Sequence, residues 1–406
     1  VTATARASGR RLGNSGSGWG SLDPPRPSLA RHIDIGVPLF SLLLAAAGAV
    51  MVYSATRGPA TDLRPADDTY LKRHLMFAAV GVVGMALVAL VGHRWARRLM
   101  VPAYLATLGM LVAVLSAGVE VKGARARFDL GSFQMQPSEL GKVALIVALA
   151  VILGSGEGVG IARLLVAGVV TAAPIVAILA QPDLGTILVY GAIFAGMVLV
   201  AGVKGRHLAV LALLLLTGTV VLLQSDRLKT YQLERLLVFI DGEADTAARY
   251  NLEQAEVAIG NGGITGKGLF RGTQNVSDLV PEQQTDFIFT VIAEETGFVG
   301  SAIVLGLFAL LLARVWRIGR LADDRYGLLI AAGTFSMLLF QVFQSVGMST
   351  GIMPITGIPL PLISYGGSSV VATFLALGLV QSVHMRRHEA RRRSLFVDGP
   401  PGRSRR

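Results

Sequence analysis

Residues 161–203 read IARLLVAGVVTAAPIVAILA, then QPD at 181–183, then LGTILVYGAIFAGMVLVAGV. Two apolar runs of membrane-spanning length face each other across a three-residue polar turn. A helix needs about 20 apolar residues to cross the hydrocarbon layer. Polar backbone survives there only when it is satisfied internally, so each run must be a helix. The pair reads as two antiparallel spans, and the same reading extends along the chain.

Ten such segments occur, at 35–55, 74–91, 99–119, 137–154, 161–180, 184–203, 207–224, 286–313, 326–348 and 367–385. The expected fold class is therefore all-α, a polytopic integral membrane protein of about ten transmembrane helices. Composition agrees, since 52% of the 406 residues are hydrophobic and only 16% charged, against about 25% charged in soluble chains. Mean hydropathy is +0.59. With no cysteine, thiolate metal sites, disulfides and cysteine nucleophiles are excluded.

The net charge of +11 reports topology rather than a nucleic-acid partner, because no basic stripe interleaved with aromatics sits on a soluble domain. Segments on the side of both termini carry 23 of the 37 Lys and Arg residues, the opposite segments 13, and Lys142 lies within a span. The positive-inside rule then places both termini in the cytoplasm. Residues 1–32 lack an apolar run, so they read as a disordered cytoplasmic tail and not a signal peptide. Residues 389–406 read as a basic cytoplasmic tail. Residues 33–388 form the membrane domain.

The loop 225–285 is too long for a plain connection. Leu233, Leu236, Leu237, Phe239 and Ile240 suggest a surface-lying amphipathic helix near 230–241. The Gly260-Asn261-Gly262-Gly263 stretch with Gly266 and Gly268 suits tight turns or close backbone approach.

On this topology four polar clusters share the external side. Lys122, Arg125 and Arg127 precede Gln136-Pro137-Ser138-Glu139 and Lys142. Glu139 and Lys142 are three apart and can pair on one helix face; alternatively Glu139 caps the helix while Lys142 snorkels outward. Gln181-Pro182-Asp183 makes a turn in which Asp183 is either a cap or functional. Pro281-Glu282-Gln283-Gln284-Thr285-Asp286 leads into an apolar helix. Asp286 there suits a general base in water-accessible surroundings, and equally a helix cap. In the fourth cluster, Pro354, Pro359 and Pro361 bar a continuous helix before Ser364-Tyr365-Gly366-Gly367-Ser368-Ser369. Such backbone near a membrane must be sheltered by protein or line a wet cavity. Physics alone ends at a membrane protein with a polar external cavity, and does not separate an enzyme from a transporter.

These clusters, in this order, resemble the SEDS family (shape, elongation, division and sporulation proteins), the lipid II polymerases of bacterial cell-wall synthesis. The resemblance covers roughly residues 33–388. It rests on Lys122-Gly123-Ala124-Arg125, on Gln136 to Leu140 with Lys142, and on Gln181 to Thr186. Ala258 to Gly263, Gly266-Lys267-Gly268, Gly272-Thr273-Gln274, Thr285 to Phe289 and Ser364 to Ser369 continue it. Thr356-Gly357-Ile358-Pro359-Leu360-Pro361 looks like the rod-elongation (RodA-type) branch. Gln284 departs from the family's usual His, and Ser345 from its usual Asn.

The resemblance implies a peptidoglycan glycosyltransferase of the bacterial cytoplasmic membrane that polymerises lipid II by inversion at its extracytoplasmic face. It implies Asp286 as the essential base. Arg125, Lys142 and Lys267 become candidate partners for the departing pyrophosphate, with Glu139 positioning Lys142. Lys122, Asp183, Thr285, Ser364 and Ser368 join them as candidate substrate-binding residues. No metal-ligand set is implied, although a divalent cation such as Mg2+ or Mn2+ is compatible. The expected partners are lipid II, membrane lipid and a class B penicillin-binding protein supplying crosslinking. A lipid II flippase and a non-catalytic scaffold for a transpeptidase are the other readings.

Overall fold

The computed structural model describes residues 33–57, 68–121, 124–131, 133–156, 158–210, 217, 247–273 and 282–397. Lys122, most of the span expected at 207–224 and the surface helix expected at 230–241 lie outside them.

Eleven helices are taken here in chain order: α1 (Gly36–Ala55), α2 (Thr69–Val91), α3 (His93–Arg98), α4 (Met100–Ala117), α5 (Pro137–Gly154) and α6 (Ile161–Leu179), followed by α7 (Leu184–Val200), α8 (Ala247–Gly262), α9 (Ile288–Arg320), α10 (Arg325–Ser349) and α11 (Gly367–Val397). Among the described residues eight are long and apolar enough to cross a membrane, and α7 is a shorter apolar helix. The protein is a multi-pass membrane protein.

Nine of the ten expected spans thus have a helical counterpart. The last helix runs on to Val397, into the stretch read as a basic tail. Burial sorts the helices. Only 11% of the apolar stretch of α4 is buried, against 78% of that of α11, so α4 shows its side chains to lipid while α5, α10 and α11 form the interior. The core joins Leu145 and Leu149 of α5, Tyr190 and Met197 of α7, Phe308 of α9, Leu338 of α10 and Phe374 of α11.

Two features were not expected. Between α4 and α5 the chain forms a small antiparallel sheet of β1 (Val119–Val121), β2 (Ala124–Asp129) and β3 (Gln134–Met135), in that order. Glu120 pairs with Arg125, and Phe128 with Met135. The second feature is a break in α9, where Gly297 takes φ 66° and ψ −162°, a region essentially reserved for glycine.

The broken helix is splinted by the glycine-rich loop after α8. Lys267 N donates to Glu294 O (3.0 Å), Gly268 N to Glu295 O (3.0 Å), Phe298 N to Gly263 O (2.9 Å) and Val299 N to Ile264 O (3.1 Å). Peptide groups freed by the break are thereby re-paired, as membrane-embedded backbone requires. Beneath this splint the Glu294 carboxylate accepts from Lys267 Nζ (3.1 Å), Thr273 N (2.7 Å) and Thr273 Oγ1 (3.0 Å). Ser54 of α1 bonds the neighbouring Glu295.

Candidate active site

Hydrogen bonds stitch the four polar clusters together at one end of the bundle. Gln136 N donates to Ser368 Oγ (3.0 Å), and Gln136 Nε2 to Asp183 Oδ2 (3.1 Å). Tyr365 N donates to the carbonyl of Gln284 (2.9 Å). The chain reaches this end by four routes: the sheet, the turn before α7, the turn before α9, and the helix-free stretch from Pro354 to Gly366.

The clusters enclose a cavity of about 540 Å³. Asp286, Thr285 and Glu282 line it from the turn before α9, and Glu139 with Lys142 from α5. Asp183, Gln341, Thr356, Gly357 and Ser368 complete that wall, with Arg73 and Arg127 among its cations.

Each carboxylate sits differently. Helix α9 begins at Ile288 with Phe287 at its cap position, so Asp286 stands one residue ahead of the cap that the sequence offered as an alternative. Its backbone N–H bonds Glu282 O (3.0 Å), closing a turn in which Glu282 has φ 56°. Gly357, with φ 71°, faces the carboxylate: a Cβ there would lie 3.3 Å from Asp286 Oδ2. The glycine therefore lets the Pro-rich segment pass directly over Asp286.

Glu139 and Lys142 form an ion pair at 2.7 Å, both side chains almost wholly buried. Capping is not the role of Glu139, because the N–H of Gln136 goes to Ser368 instead. Asp183 both caps and lines the cavity. It accepts from Thr186 N (3.0 Å) and Thr186 Oγ1 (2.7 Å) at the start of α7, and still holds Gln136. Thr285 Oγ1 reaches Glu282 Oε2 (3.1 Å).

Of the residues singled out from sequence, the cavity brings together Asp286, Thr285, Glu139, Lys142, Asp183 and Ser368. Arg125 is elsewhere, exposed and paired across the strands with Glu120 at 3.2 Å. Lys267 belongs to the Glu294 cluster. Buried Ser364 accepts from Leu360 N (2.8 Å) and holds its own turn. Arg127 and Arg73 take the places expected of Arg125 and Lys267 as cations of the cavity. Neither Gln284 nor Ser345 lines it. Among the described residues no three His, Cys, Asp or Glu side chains gather so as to hold a metal ion.

Residues 36–389 match the FtsW/RodA/SpoVE family, described as cell cycle proteins. The chain belongs to this family. It is 34% identical over 367 residues to the peptidoglycan glycosyltransferase MrdB of Escherichia coli K12, covering 88% of this chain and 94% of that one. It is 36% identical over 359 residues to the stage V sporulation protein E of Bacillus subtilis, covering 86% and 96%. A chain of a solved peptidoglycan synthase complex, in which polymerization and crosslinking are coordinated, superposes with a TM-score of 0.74 at 35% identity, over 88% of this chain and 99% of that one. The family match thus spans the whole cavity, from Tyr70 to Ser369.

Proposed function

We propose that this chain is a peptidoglycan glycosyltransferase that polymerises lipid II into glycan strands. The observation that carries the reading is the cavity itself. It holds the half-buried carboxylate of Asp286 in a water-accessible turn, close in the chain to that of Glu282, and sets a buried ion pair and two guanidinium groups in the same walls. The similarity to enzymes named for this activity supports it.

Asp286 takes the proton from the 4-hydroxyl of the acceptor N-acetylglucosamine as that oxygen bonds to the anomeric carbon of the other chain. The bond from that carbon to the pyrophosphate oxygen breaks, the configuration inverts, and the undecaprenyl pyrophosphate leaves. Cations placed where negative charge develops stabilise such a transition state. Lys142, held by Glu139, and the Arg73 and Arg127 guanidinium groups are the cations for it. Arg125 and Lys267, committed to Glu120 and Glu294, are not.

We place the cavity on the extracytoplasmic face. Support comes from the opposite end of the bundle, where Arg94, Arg97 and Arg98 follow α2 and Arg325 and Arg386 stand at the span ends, as the positive-inside rule favours for a cytoplasmic side. A role in elongation, with a class B penicillin-binding protein supplying crosslinks, follows the Thr356-to-Pro361 pattern and the likeness to a synthase complex. Purified full-length protein mixed with lipid II should produce glycan strands resolved by length. A protein that moves lipid II between leaflets of a vesicle without polymerising it would replace this reading with the flippase.

A further inference from the structure

Three residues that line the cavity each carry a buried polar atom with no hydrogen-bond partner in the protein: Gln341 Oε1, Thr356 Oγ1 and Ser369 Oγ. They come from three elements, α10, the Pro-rich stretch and the first turn of α11. Gln341 is the most telling, because it lies in the middle of a membrane helix and is only 1% exposed. A buried polar group left without a partner is strongly unfavourable, so native structures seldom keep one. The neighbours differ: Glu139, Asp183 and Ser368 are all bonded within the protein.

We propose that these three side chains form a subsite that reads the acetamido group of an N-acetylated sugar. The inference rests on the glycosyltransferase reading and names what its cavity recognises. The Gln341 carbonyl oxygen accepts only, so it selects an N–H or O–H and repels a phosphate oxygen. The Thr356 and Ser369 hydroxyls supply donors. An acetamido group answers both, donating its N–H to Gln341 and accepting at its carbonyl from a hydroxyl, and it adds a methyl; a lone sugar hydroxyl must donate and accept through one oxygen and brings no apolar group. The acetamido methyl finds apolar cover in Ile355 and Ile358, which line the same cavity. Thr356 directly precedes Gly357, against which the Asp286 carboxylate lies. A sugar held here through its acetamido group therefore has its ring beside the base, which points to the acceptor N-acetylglucosamine.

The test uses two probes with the purified full-length protein: lipid II, and an analogue carrying a 2-hydroxyl in place of the acetamido group of the N-acetylglucosamine. Binding and polymerisation are measured for each. Sites built around hydrogen bonds discriminate strongly against analogues lacking the partner, so the wild type should prefer lipid II by about tenfold or more in kcat/KM. Gln341→Met and Thr356→Val, close in shape but without the polar atom, should each shrink that preference below about threefold, chiefly through KM for lipid II. Equal use of both probes by the wild type overturns the proposal. So does an equal loss on both probes in folded variants, which would mark the residues as structural or water-bonded. Because the two substitutions sit on different elements, misfolding of one leaves the other decisive. Preferential binding of lipid II without polymerisation would remove the glycosyltransferase reading and leave the subsite standing.

Discussion

Lys142 Nζ sits 2.7 Å from a carboxylate oxygen of Glu139, with the two side chains 3% and 6% exposed. A pair this dry gains little over apolar packing, but losing one partner strands the other charge at a cost of about 3–5 kcal/mol. Lys142→Met and Glu139→Gln should therefore each lower the melting temperature in detergent and silence polymerisation. Exchanging the two, Glu139→Lys with Lys142→Glu, should recover stability that either reversal alone loses. A double-mutant cycle measures the coupling directly; additive effects would show that each residue acts separately.

The break in α9 gives a second expectation. A Cβ on Gly297 would stand 2.3 Å from Gly266 N and 2.6 Å from Ile264 O, at backbone angles that side chains avoid. Strain alone is worth about 1–3 kcal/mol, and the clash would force the splinting loop off the helix. Gly297→Ala should cut the yield of folded protein and lower its melting temperature, whereas Gly306→Ala in the same helix, with open space around it, should not. Comparable melting of the two variants would remove the splint from the account.

At the opposite end, His93 of α3 is buried, its backbone N–H and Nδ1 both within hydrogen-bond distance of Ser382 Oγ, at 2.6 and 2.8 Å. Burial pushes its imidazole down from 6.5 to about 4, opposed by the Asp324 carboxylate and assisted by Arg94 and Arg386. A depressed folded value means that the unfolded chain binds the proton first. The stabilisation from a neutral His93 is thus complete above about pH 6.5 and lost as pH falls toward 4, up to about 3 kcal/mol. Melting temperature recorded from pH 7.5 to 4.5 should fall across this window. His93→Gln should flatten the part of that fall due to this residue.

Arg125 and Arg127 are two residues apart, yet only Arg127 lines the cavity. Arg127→Gln should reduce kcat/KM for lipid II by about tenfold, as loss of a charge-assisted contact does. Arg125→Gln, which breaks only the exposed pair with Glu120, should stay within about threefold. The reverse order would move the pyrophosphate contact to the tip of the sheet.

Those two arginines also mark where the sequence stops being informative. The spans were legible because an apolar run of 18 or more residues has one stable form in lipid. The turn at 181–183 and the helix-free Pro354-to-Pro361 stretch were legible because proline removes donors and fixes φ. Convergence of the four clusters followed from their shared side of the membrane. Which side chain points inward did not, since that depends on strands too short to show a period, such as β1 and β3. Lys267 resembled a substrate contact until the break at Gly297 brought Glu294 to it. A glycine inside an apolar run gives no sign of a break, because isolated glycines are tolerated in helices. Gln341 is silent in the sequence for the same reason: one amide in an apolar helix carries no pattern.

The catalytic assignment comes to a single atom exchange. Asp286→Asn keeps the size of the side chain and leaves untouched the backbone turn from Asp286 N to Glu282 O. The approach of Gly357 also survives, since an amide occupies the same space as the carboxylate. What goes is the capacity to accept a proton. Loss of a general base costs about 10²–10⁴-fold in rate, which would erase glycan strands from a gel-based assay while melting temperature and lipid II binding hold within error. The alternative role, a helix cap, predicts the opposite, because asparagine caps about as well as aspartate and the variant would then keep its rate. Asp286 already stands outside the cap position, with Phe287 between it and the first helical residue. Near-full polymerisation by a well-folded Asp286→Asn protein would remove the base assignment and transfer it to Glu282 or Asp183, two further carboxylates that line the cavity.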